Sequence, residues 1–231
     1  MLVGASVLAA VLACVVIPMF GVFFQIPPEL TVGIGSSPSP EKLAELNAAQ
    51  RIADRKNSML RIGLFGAIVG SLLGGAAGIA RRRTSSIGLG AAAGLTLGGL
   101  FGFLGGLAAN TLAQRLTSVI ADEMQRMMVV HLTGWAVAGI GIGLAVGLAF
   151  RGHGVLVRAV VASLAAGLIG GLIFAPLAAI LLPNADSDLP YPKGLDARAL
   201  WIALPTILIG IAIARATKER RKPGPAGVSP S

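Results

Sequence analysis

The sequence predicts an all-α membrane protein. Its six transmembrane helices would pack through Gly-zipper (small-xxx-small) faces, and a tandem repeat of two helical hairpins is a further hypothesis. Three observations predict this fold class. Hydrophobic residues make up 55% of the 231 residues and charged residues only 13%, whereas a typical soluble domain has about 25% charged residues. Six apolar stretches have about the 20 residues that a helix needs to cross a bilayer. Glycine, with 32 residues, recurs at every fourth position inside several of these stretches.

The composition also excludes several classes of protein. A chain this apolar is not intrinsically disordered, because disordered chains are poor in apolar residues. A single cysteine, Cys14, excludes a disulfide framework and a cysteine-based zinc site. Cys14 lies in an apolar stretch with no base nearby in the sequence, so we interpret it as inert packing.

The six predicted spans follow one another with short or polar connections. They cover residues 2–24, 62–80, 87–109, 130–150, 159–182 and 200–214. Pro18, Pro176 and Pro205 fall inside three of them, where neighbouring helices can satisfy the freed carbonyl groups. The first span lacks a basic leading region and an A-x-A site, so we interpret it as an uncleaved anchor, with a cleaved signal peptide as the alternative.

Two of the connections are predicted to be helical and amphipathic. Ser39 and Pro40 have the residue types of an N-cap and a first turn, and the pattern after them is helical up to the second span. Residues 110–129 would extend the third span or lie on the membrane surface. The full division is an anchor helix (1–24), an extracytoplasmic linker and amphipathic helix (25–61), a Gly-rich hairpin (62–109), an extracytoplasmic amphipathic connector (110–129), a second Gly-rich hairpin (130–182), an outer loop (183–199), a sixth span (200–216) and a basic, disordered cytoplasmic tail (217–231).

Lys and Arg are denser in the loop between spans two and three, in the loop between spans four and five, and in the tail than in the other connections. The positive-inside rule therefore predicts that both termini lie in the cytoplasm. Arg outnumbers Lys by 14 to 5 and Ala and Gly abound, a composition that suggests the inner membrane of a bacterium. The same arginines either act only as topology signals or bind anionic lipid head groups; they are Arg81, Arg82, Arg83, Arg151, Arg158, Arg220 and Arg221. In this topology Trp135, Trp201 and Tyr191 lie near the outer interface, as in an aromatic belt.

The glycine spacing is the strongest local signal. Residues four apart lie on one helix face, and faces without side chains let helices approach closely in a bilayer. The predicted packing residues are Gly66, Gly70, Gly74, Gly78, Gly90, Gly94, Gly98, Gly102, Gly106, Gly139, Gly143, Gly147, Gly167 and Gly171. These grooves either pack only the helices of this chain, or one of them binds another copy or a partner subunit. The third span has further small residues, such as Gly88 and Gly99, and is predicted to lie at the centre.

A weak internal repeat accompanies the glycines. Gly70, Gly74, Gly78 and Arg82 recur as Gly139, Gly143, Gly147 and Arg151, at an offset of 69. After the loop, residues 97–100 resemble residues 169–172 at an offset of 72. The two hairpins would then have the same orientation in the membrane, as parallel repeats have in some transporters.

Residues that carry chemistry are scarce. No predicted span has an ionisable residue at mid-membrane, which argues against a pump that uses a membrane carboxylate. Glu123 and His131 are too few ligands for a closed zinc site, and we interpret His131 as an interfacial residue. Residues 184–188 resemble the start of a calcium loop but lack its Gly and Glu. We therefore expect no catalytic, metal or cofactor site and no cofactor.

These observations predict a non-enzymatic accessory or scaffold subunit. Its expected partners are membrane lipids and either a second copy or another membrane protein, and not nucleic acid, because no aromatic residues are interleaved with the basic ones. The alternative is a small-solute transporter or channel built from the two hairpins. Convergence of Ser71, Thr96 and Ser163 between the hairpins would favour the transporter, and a continuous dry interface would favour the scaffold.

Overall fold

The computed structural model describes residues 1–31, 39–183, 190–192 and 194–218. Within these ranges the regular structure is helical throughout. The elements are α1 (Leu2–Met19), α2 (Pro28–Thr31), α3 (Pro40–Ala80), α4 (Thr84–Ala93), a π-helical turn (Gly94–Gly98), α5 (Gly99–Leu116), α6 (Glu123–Phe150), α7 (His153–Leu181) and α8 (Leu195–Thr217). Six helices, counting α4 to α5 as one, are long and apolar enough to cross a membrane. The prediction of an all-α fold with six helices able to span a membrane is confirmed, and these helices are consistent with a polytopic membrane protein.

Helix α1 is shorter than the predicted span of residues 2–24. It ends at Met19, and Gly21 has a φ of +63°, a left-handed conformation that glycine adopts readily. The apolar residues that follow turn back over α3. Asn57 on α3 holds this turn: its Oδ1 accepts the backbone N–H groups of Phe23 and Phe24 at 3.0 and 2.9 Å.

Helix α3 joins the predicted amphipathic helix and the predicted second span into one element of 41 residues. The Ser39 hydroxyl accepts the N–H of Lys42 at 3.3 Å, so the predicted N-cap is confirmed. At 1.5 Å per residue the helix is roughly 60 Å long, about twice the thickness of a bilayer's hydrocarbon core. Its N-terminal half therefore extends past the apolar bundle.

Of the two alternatives for residues 110–129, the structure shows the extension of the third span, but only as far as Leu116. Helix α5 continues to Leu116, a turn follows, and α6 begins at Glu123. The chain turns here because the Asp122 carboxylate caps α6, accepting the N–H of Gln125 at 2.7 Å. The segment consists of two helix ends and a turn, and not of one surface helix.

The third predicted span does not lie at the centre of the bundle. In α4–α5 only 28% of the apolar window is buried, against 61% in both α3 and α6. Helices α3 and α6 form the core, and α4–α5 contacts both of them. Small residues allow close contact but bury little area, and the large side chains of α4–α5 point outward: Leu95 and Leu100 are 61% and 53% exposed.

The first and last spans are neighbours. Helix α1 packs on α3 and α8, and its Ala9, Ala13 and Ile17 are fully buried. A Cβ atom built on Gly210 of α8 would lie 2.5 Å from the Cβ of Ser6, so the two helices are in close contact. Met1, Arg81, Phe150 and Lys218 line one cavity, which places the start of α1 and the ends of α3, α6 and α8 at the same end of the bundle.

Candidate functional site

Helices α3 and α4–α5 meet at a separation that leaves no room for a Cβ atom. A Cβ built on Gly70 would lie 2.6 Å from the carbonyl oxygen of Gly94. A Cβ built on Gly66 would overlap the carbonyl group of Gly98, and a Cβ built on Gly98 would overlap the carbonyl group of Gly66. The same backbone contacts join Gly74 with Gly90, Gly78 with Ile87, Gly102 with Ile62, and Gly106 with Met59.

Helices α6 and α7 have a glycine on only one side of each contact, whereas three contacts between α3 and α4–α5 pair two glycines. A Cβ on Gly139 would lie 2.6 Å from the carbonyl oxygen of Ser163, and one on Gly171 would lie 2.6 Å from that of His131. A Cβ on Gly167 would overlap the carbonyl oxygen of Trp135. A Cβ on Gly143 would lie 2.6 Å from the Cα of Val160 and 2.8 Å from the carbonyl oxygen of Ala159, and one on Gly147 would lie 2.6 Å from the Cα of Leu156.

The contacts of the two hairpins follow one numerical register. In the first hairpin the pairs are Ile62 with Gly102, Gly66 with Gly98, Gly70 with Gly94, Gly74 with Gly90, and Gly78 with Ile87. Adding 69 to every number gives the pairs of the second: His131 with Gly171, Trp135 with Gly167, Gly139 with Ser163, Gly143 with Ala159, and Gly147 with Leu156. Arg82 and Arg151, related by the same offset, both have left-handed backbone conformations, with φ of 55° and 54°. A single offset of 69 relates all these contacts, whereas the comparison of the sequences required two offsets, 69 and 72.

The predicted packing glycines are thus covered by helices of their own chain. Each of the fourteen lies where an added Cβ would come within 3.0 Å of a neighbouring helix. Helix α4–α5 also contacts α6, because a Cβ on Gly105 would lie 2.6 Å from the carbonyl oxygen of Gly134. The groove formed by these residues is occupied within the chain.

One small-residue face remains open. A Cβ on Gly88 would meet nothing within 4 Å, and Gly88, Ala92 and Thr96 are all exposed. These three residues, four apart, define what we call the outward face of α4; its last member lies in the π-helical turn.

The predicted aromatic belt is wrong, because its three residues point into the bundle. Trp135, Trp201 and Tyr191 are 1%, 2% and 3% exposed. The ring centroid of Trp135 lies 4.9 Å from that of Phe65 and 4.7 Å from that of Trp201. We call these rings, together with His131 and Phe174, the aromatic core. Hydropathy carries no information on which side of a helix faces inward.

His131 belongs to this core and is not an interfacial residue. It is 1% exposed, and its Nδ1 accepts the indole N–H of Trp201 at 3.1 Å. Within the part of the chain that the structure describes, no three His, Cys, Asp or Glu residues form a group that could hold a metal ion. The calcium-like residues 184–188 lie outside the described residues.

The polar end of the bundle, around the N-terminal half of α3, has a second cluster that the sequence did not indicate. Arg61 and Arg198 both stack on the ring of Tyr191, with guanidinium carbons 5.2 and 5.5 Å from its centroid. Arg61 also donates to the carbonyl of Gly21 at 2.7 Å. Burial raises the pKa of Tyr191 above its usual value, and the two arginines offset part of that shift. A cavity of about 520 Å³ adjoins the cluster.

The opposite end of the bundle carries the predicted basic residues, and we call it the cationic end. Its described residues at the helix ends are Arg81, Arg82, Arg83, Arg151, Arg158, Arg215 and Lys218, with no Asp or Glu among them in residues 77–88, 147–158 and 211–218. The described carboxylates belong to the other end, which we call the mixed end: Glu29, Glu41, Glu45, Asp54, Asp122, Glu123 and Asp196. The predicted Arg220 and Arg221 lie outside the described residues.

The three hydroxyl residues considered for a transport path do not converge. Ser71 donates to the carbonyl of Ala91 at 3.2 Å, Thr96 to that of Ala92 at 3.0 Å, and Ser163 to that of Ala159 at 2.8 Å. Thr96 is exposed on the outside of the bundle. Each hydroxyl is therefore satisfied by a backbone carbonyl.

Comparison of the chain with models of protein families, with curated proteins and with solved structures finds no match. The function is therefore inferred from the geometry of this molecule alone.

Proposed function

We propose that this chain is a non-enzymatic accessory or scaffold subunit of a membrane assembly. It would hold a transmembrane helix of another membrane protein against the outward face of α4. The observation that carries the proposal is the contrast between this face and the other small-residue faces. Gly88, Ala92 and Thr96 are exposed, whereas the fourteen packing glycines lie against helices of their own chain. Small residues four apart are the surfaces through which helices associate in bilayers.

The interior supports a structural role over a transport role. Aromatic and aliphatic side chains fill the space between α3, α6 and α8, and Phe65, Ile142 and Ile209 are fully buried there. The hydroxyls of Ser71 and Ser163 are bonded to backbone carbonyls. In this proposal the Gly-zipper contacts within each hairpin make the scaffold rigid, and the outward face of α4 binds the partner helix.

The proposed location is the inner membrane of a bacterium, with both termini in the cytoplasm. The charge distribution supports the orientation, because the positive-inside rule assigns the end richer in Lys and Arg to the cytoplasm. The start of α1 and Lys218 at the end of α8 line the same cavity of the cationic end. An orientation with the cationic end in the cytoplasm would therefore place the start of α1 and the end of α8 on the same side. Cysteine labelling of single-cysteine variants from each side of the membrane tests this orientation.

Native mass spectrometry of the tagged protein, extracted from its own membrane in mild detergent, tests the assembly. We expect a reproducible foreign subunit with the wild type and its loss with Gly88→Leu. Gly4→Leu is the matched control, because a Cβ on Gly4 of α1 also meets nothing within 4 Å. A monomer or a homo-oligomer with no foreign subunit would contradict the proposal, as would equal capture by both variants.

A small-solute transporter or channel is the second candidate, and the register of the two hairpins is the observation that favours it. Five contact pairs, and two arginines with left-handed backbone conformations, are related by one offset of 69 in residue number. We propose on this basis that the hairpins are a tandem repeat, an arrangement that transporters use with the substrate site between the repeats. Stopped-flow flux of neutral solutes in proteoliposomes tests it; a rate equal to that of empty liposomes would exclude the transport role.

A further inference from the structure

A cavity of about 610 Å³ lies at the cationic end, where five spans meet. Two of its lining residues are charged side chains, Arg81 just past α3 and Lys218 just past α8. The rest of the lining is mostly apolar and includes Leu2, Phe150 and Val155. Among the described residues no Asp or Glu lines this cavity, so its two cations face no described carboxylate within it.

Arg81 is held at the cavity wall by the neighbouring helix. One of its guanidinium nitrogens donates to the backbone carbonyl of Phe150, at the end of α6. A guanidinium group has five N–H donors, so this single bond leaves others available, and the planar fork suits the oxygens of a phosphate. Lys218 is exposed, and its ammonium group adds three more donors.

The charge around the cavity is of one sign. Arg82, Arg83, Arg151, Arg158 and Arg215 lie on the same end, and the described stretches there contain no carboxylate. At the mixed end, basic and acidic side chains alternate along α3, and Arg126 pairs with Glu123 at 3.5 Å. A net positive surface beside an apolar lining matches a ligand with an anionic head and an apolar body.

We propose that this cavity binds the phosphate headgroup of an anionic membrane lipid between Arg81 and Lys218. The apolar lining would contact the glycerol and the first part of the acyl chains. Topology alone requires only that basic residues lie near the ends of the spans, and gives no reason for two of them to line a cavity without a carboxylate among its described residues. The cavity lies on a different part of the molecule from the outward face of α4, so each of the two surfaces can be tested without the other.

Native mass spectrometry of the full chain with added lipid tests the proposal. The probes are phosphatidylglycerol, phosphatidylcholine as the neutral-headgroup control, and inorganic phosphate as a soluble competitor. We expect stronger retention of phosphatidylglycerol, and a loss of about fivefold in its affinity for each charge removed by Arg81→Gln and Lys218→Gln, the magnitude typical of one basic residue at an anionic surface. Arg115→Gln, an exposed basic residue of the mixed end, should leave the affinity unchanged.

Three results would overturn the proposal. They are equal retention of the two lipids, an unchanged affinity in Lys218→Gln, and displacement of phosphatidylglycerol by millimolar inorganic phosphate, which would assign the cavity to a soluble phosphate. Arg81→Gln removes a bond to the end of α6, so that variant is vulnerable to misfolding. Lys218 makes no hydrogen bond or ion pair in the described structure, so Lys218→Gln tests the site without that complication.

Discussion

The two hairpins share a contact register but are built from different side chains. In the first, α3 and α4–α5 place glycine opposite glycine, as at Gly70 and Gly94. In the second, α6 and α7 place glycine opposite a larger residue, as at Gly167 and Trp135. The first hairpin brings two backbones together and leaves the large side chains of α4–α5 exposed; the second supplies much of the aromatic core. Glycine on both helices therefore brings the two backbones close together. Glycine on only one helix also allows a close approach, and the other helix can then bury larger side chains.

The largest expected effect comes from the second hairpin. Trp135→Ala removes a 1%-exposed ring that contacts Phe65 and Trp201. We expect a loss of about 3–5 kcal/mol in unfolding free energy, the range for removal of a buried Trp or Phe side chain. Titration with SDS in mixed micelles measures it, with Ile180→Ala at a 75%-exposed position as the control. Equal losses in the two variants would contradict the importance of the aromatic core.

Gly98→Leu tests the first hairpin. A Cβ at this position would overlap the carbonyl of Gly66, so the two helices must separate along their length. We expect a loss of about 3 kcal/mol, the upper part of the range for overpacking, and a smaller monodisperse fraction on size exclusion. Gly88→Leu, on the open side of the same helix, should keep the wild-type unfolding free energy, because a Cβ there meets nothing within 4 Å. Normal assembly of Gly98→Leu in mild detergent would show that this close contact is unnecessary.

An exchange between equivalent positions sharpens the comparison. Gly94 and Ser163 occupy the same place in the register of the two hairpins. Gly94→Ser would push a Cβ into the backbone of Gly70, and we expect a cost of about 2 kcal/mol. Ser163→Gly only removes a side chain and adds the cost of a helical glycine, about 1 kcal/mol. Paired SDS titrations measure both, and equal costs would contradict the difference between the hairpins.

The smallest effect is expected beside the aromatic core. The Tyr191 hydroxyl is buried without a hydrogen-bond partner among the described residues, so Tyr191→Phe should change stability by less than about 1 kcal/mol at pH 7. Its pKa is raised in the folded protein. The unfolded chain therefore loses the phenol proton first, and the wild type should lose stability as pH rises above about 10.

Thermal melts at pH 8 to 11 separate these two contributions. The fall in Tm above pH 10 should be smaller in Tyr191→Phe than in the wild type, because the variant cannot ionise at this position. Identical pH profiles would show that the phenol of Tyr191 does not control alkaline stability.

The sequence indicates which helix faces carry small residues, but not which helix lies at the centre of the bundle. Four-residue spacing identifies glycines such as Gly70 and Gly139 because a helix face follows from periodicity alone. It cannot identify the core, because burial depends on side-chain area: α4–α5 is rich in small residues and is the least buried span. The inward orientation of Trp135 could not be predicted for a related reason. Hydropathy indicates which residues belong to an apolar span, but not which side of the helix faces the bundle.

Long-range polar contacts were the least predictable part. Asn57 bonds three backbone groups of Phe23 and Phe24, which lie far from it in the sequence, just after α1. No local pattern distinguishes it from any other polar residue of an amphipathic helix. The stacking of Arg61 and Arg198 on Tyr191 likewise joins α3 to residues near α8, and single-sequence periodicity contains no such information.

The pairing of α1 with α8 has a consequence for biogenesis. The fully buried side of α1 rests partly on the last span, which is synthesised long after it. The two helices are separated by the 175 residues between Met19 and Leu195. At a synthesis rate of about 5–20 residues per second, α1 is made about 9–35 s before synthesis of α8 begins. During that interval Ser6, which contacts Gly210 of α8 in the folded chain, faces lipid or an insertion factor, so the newly made chain presents a docking surface that disappears in the finished protein.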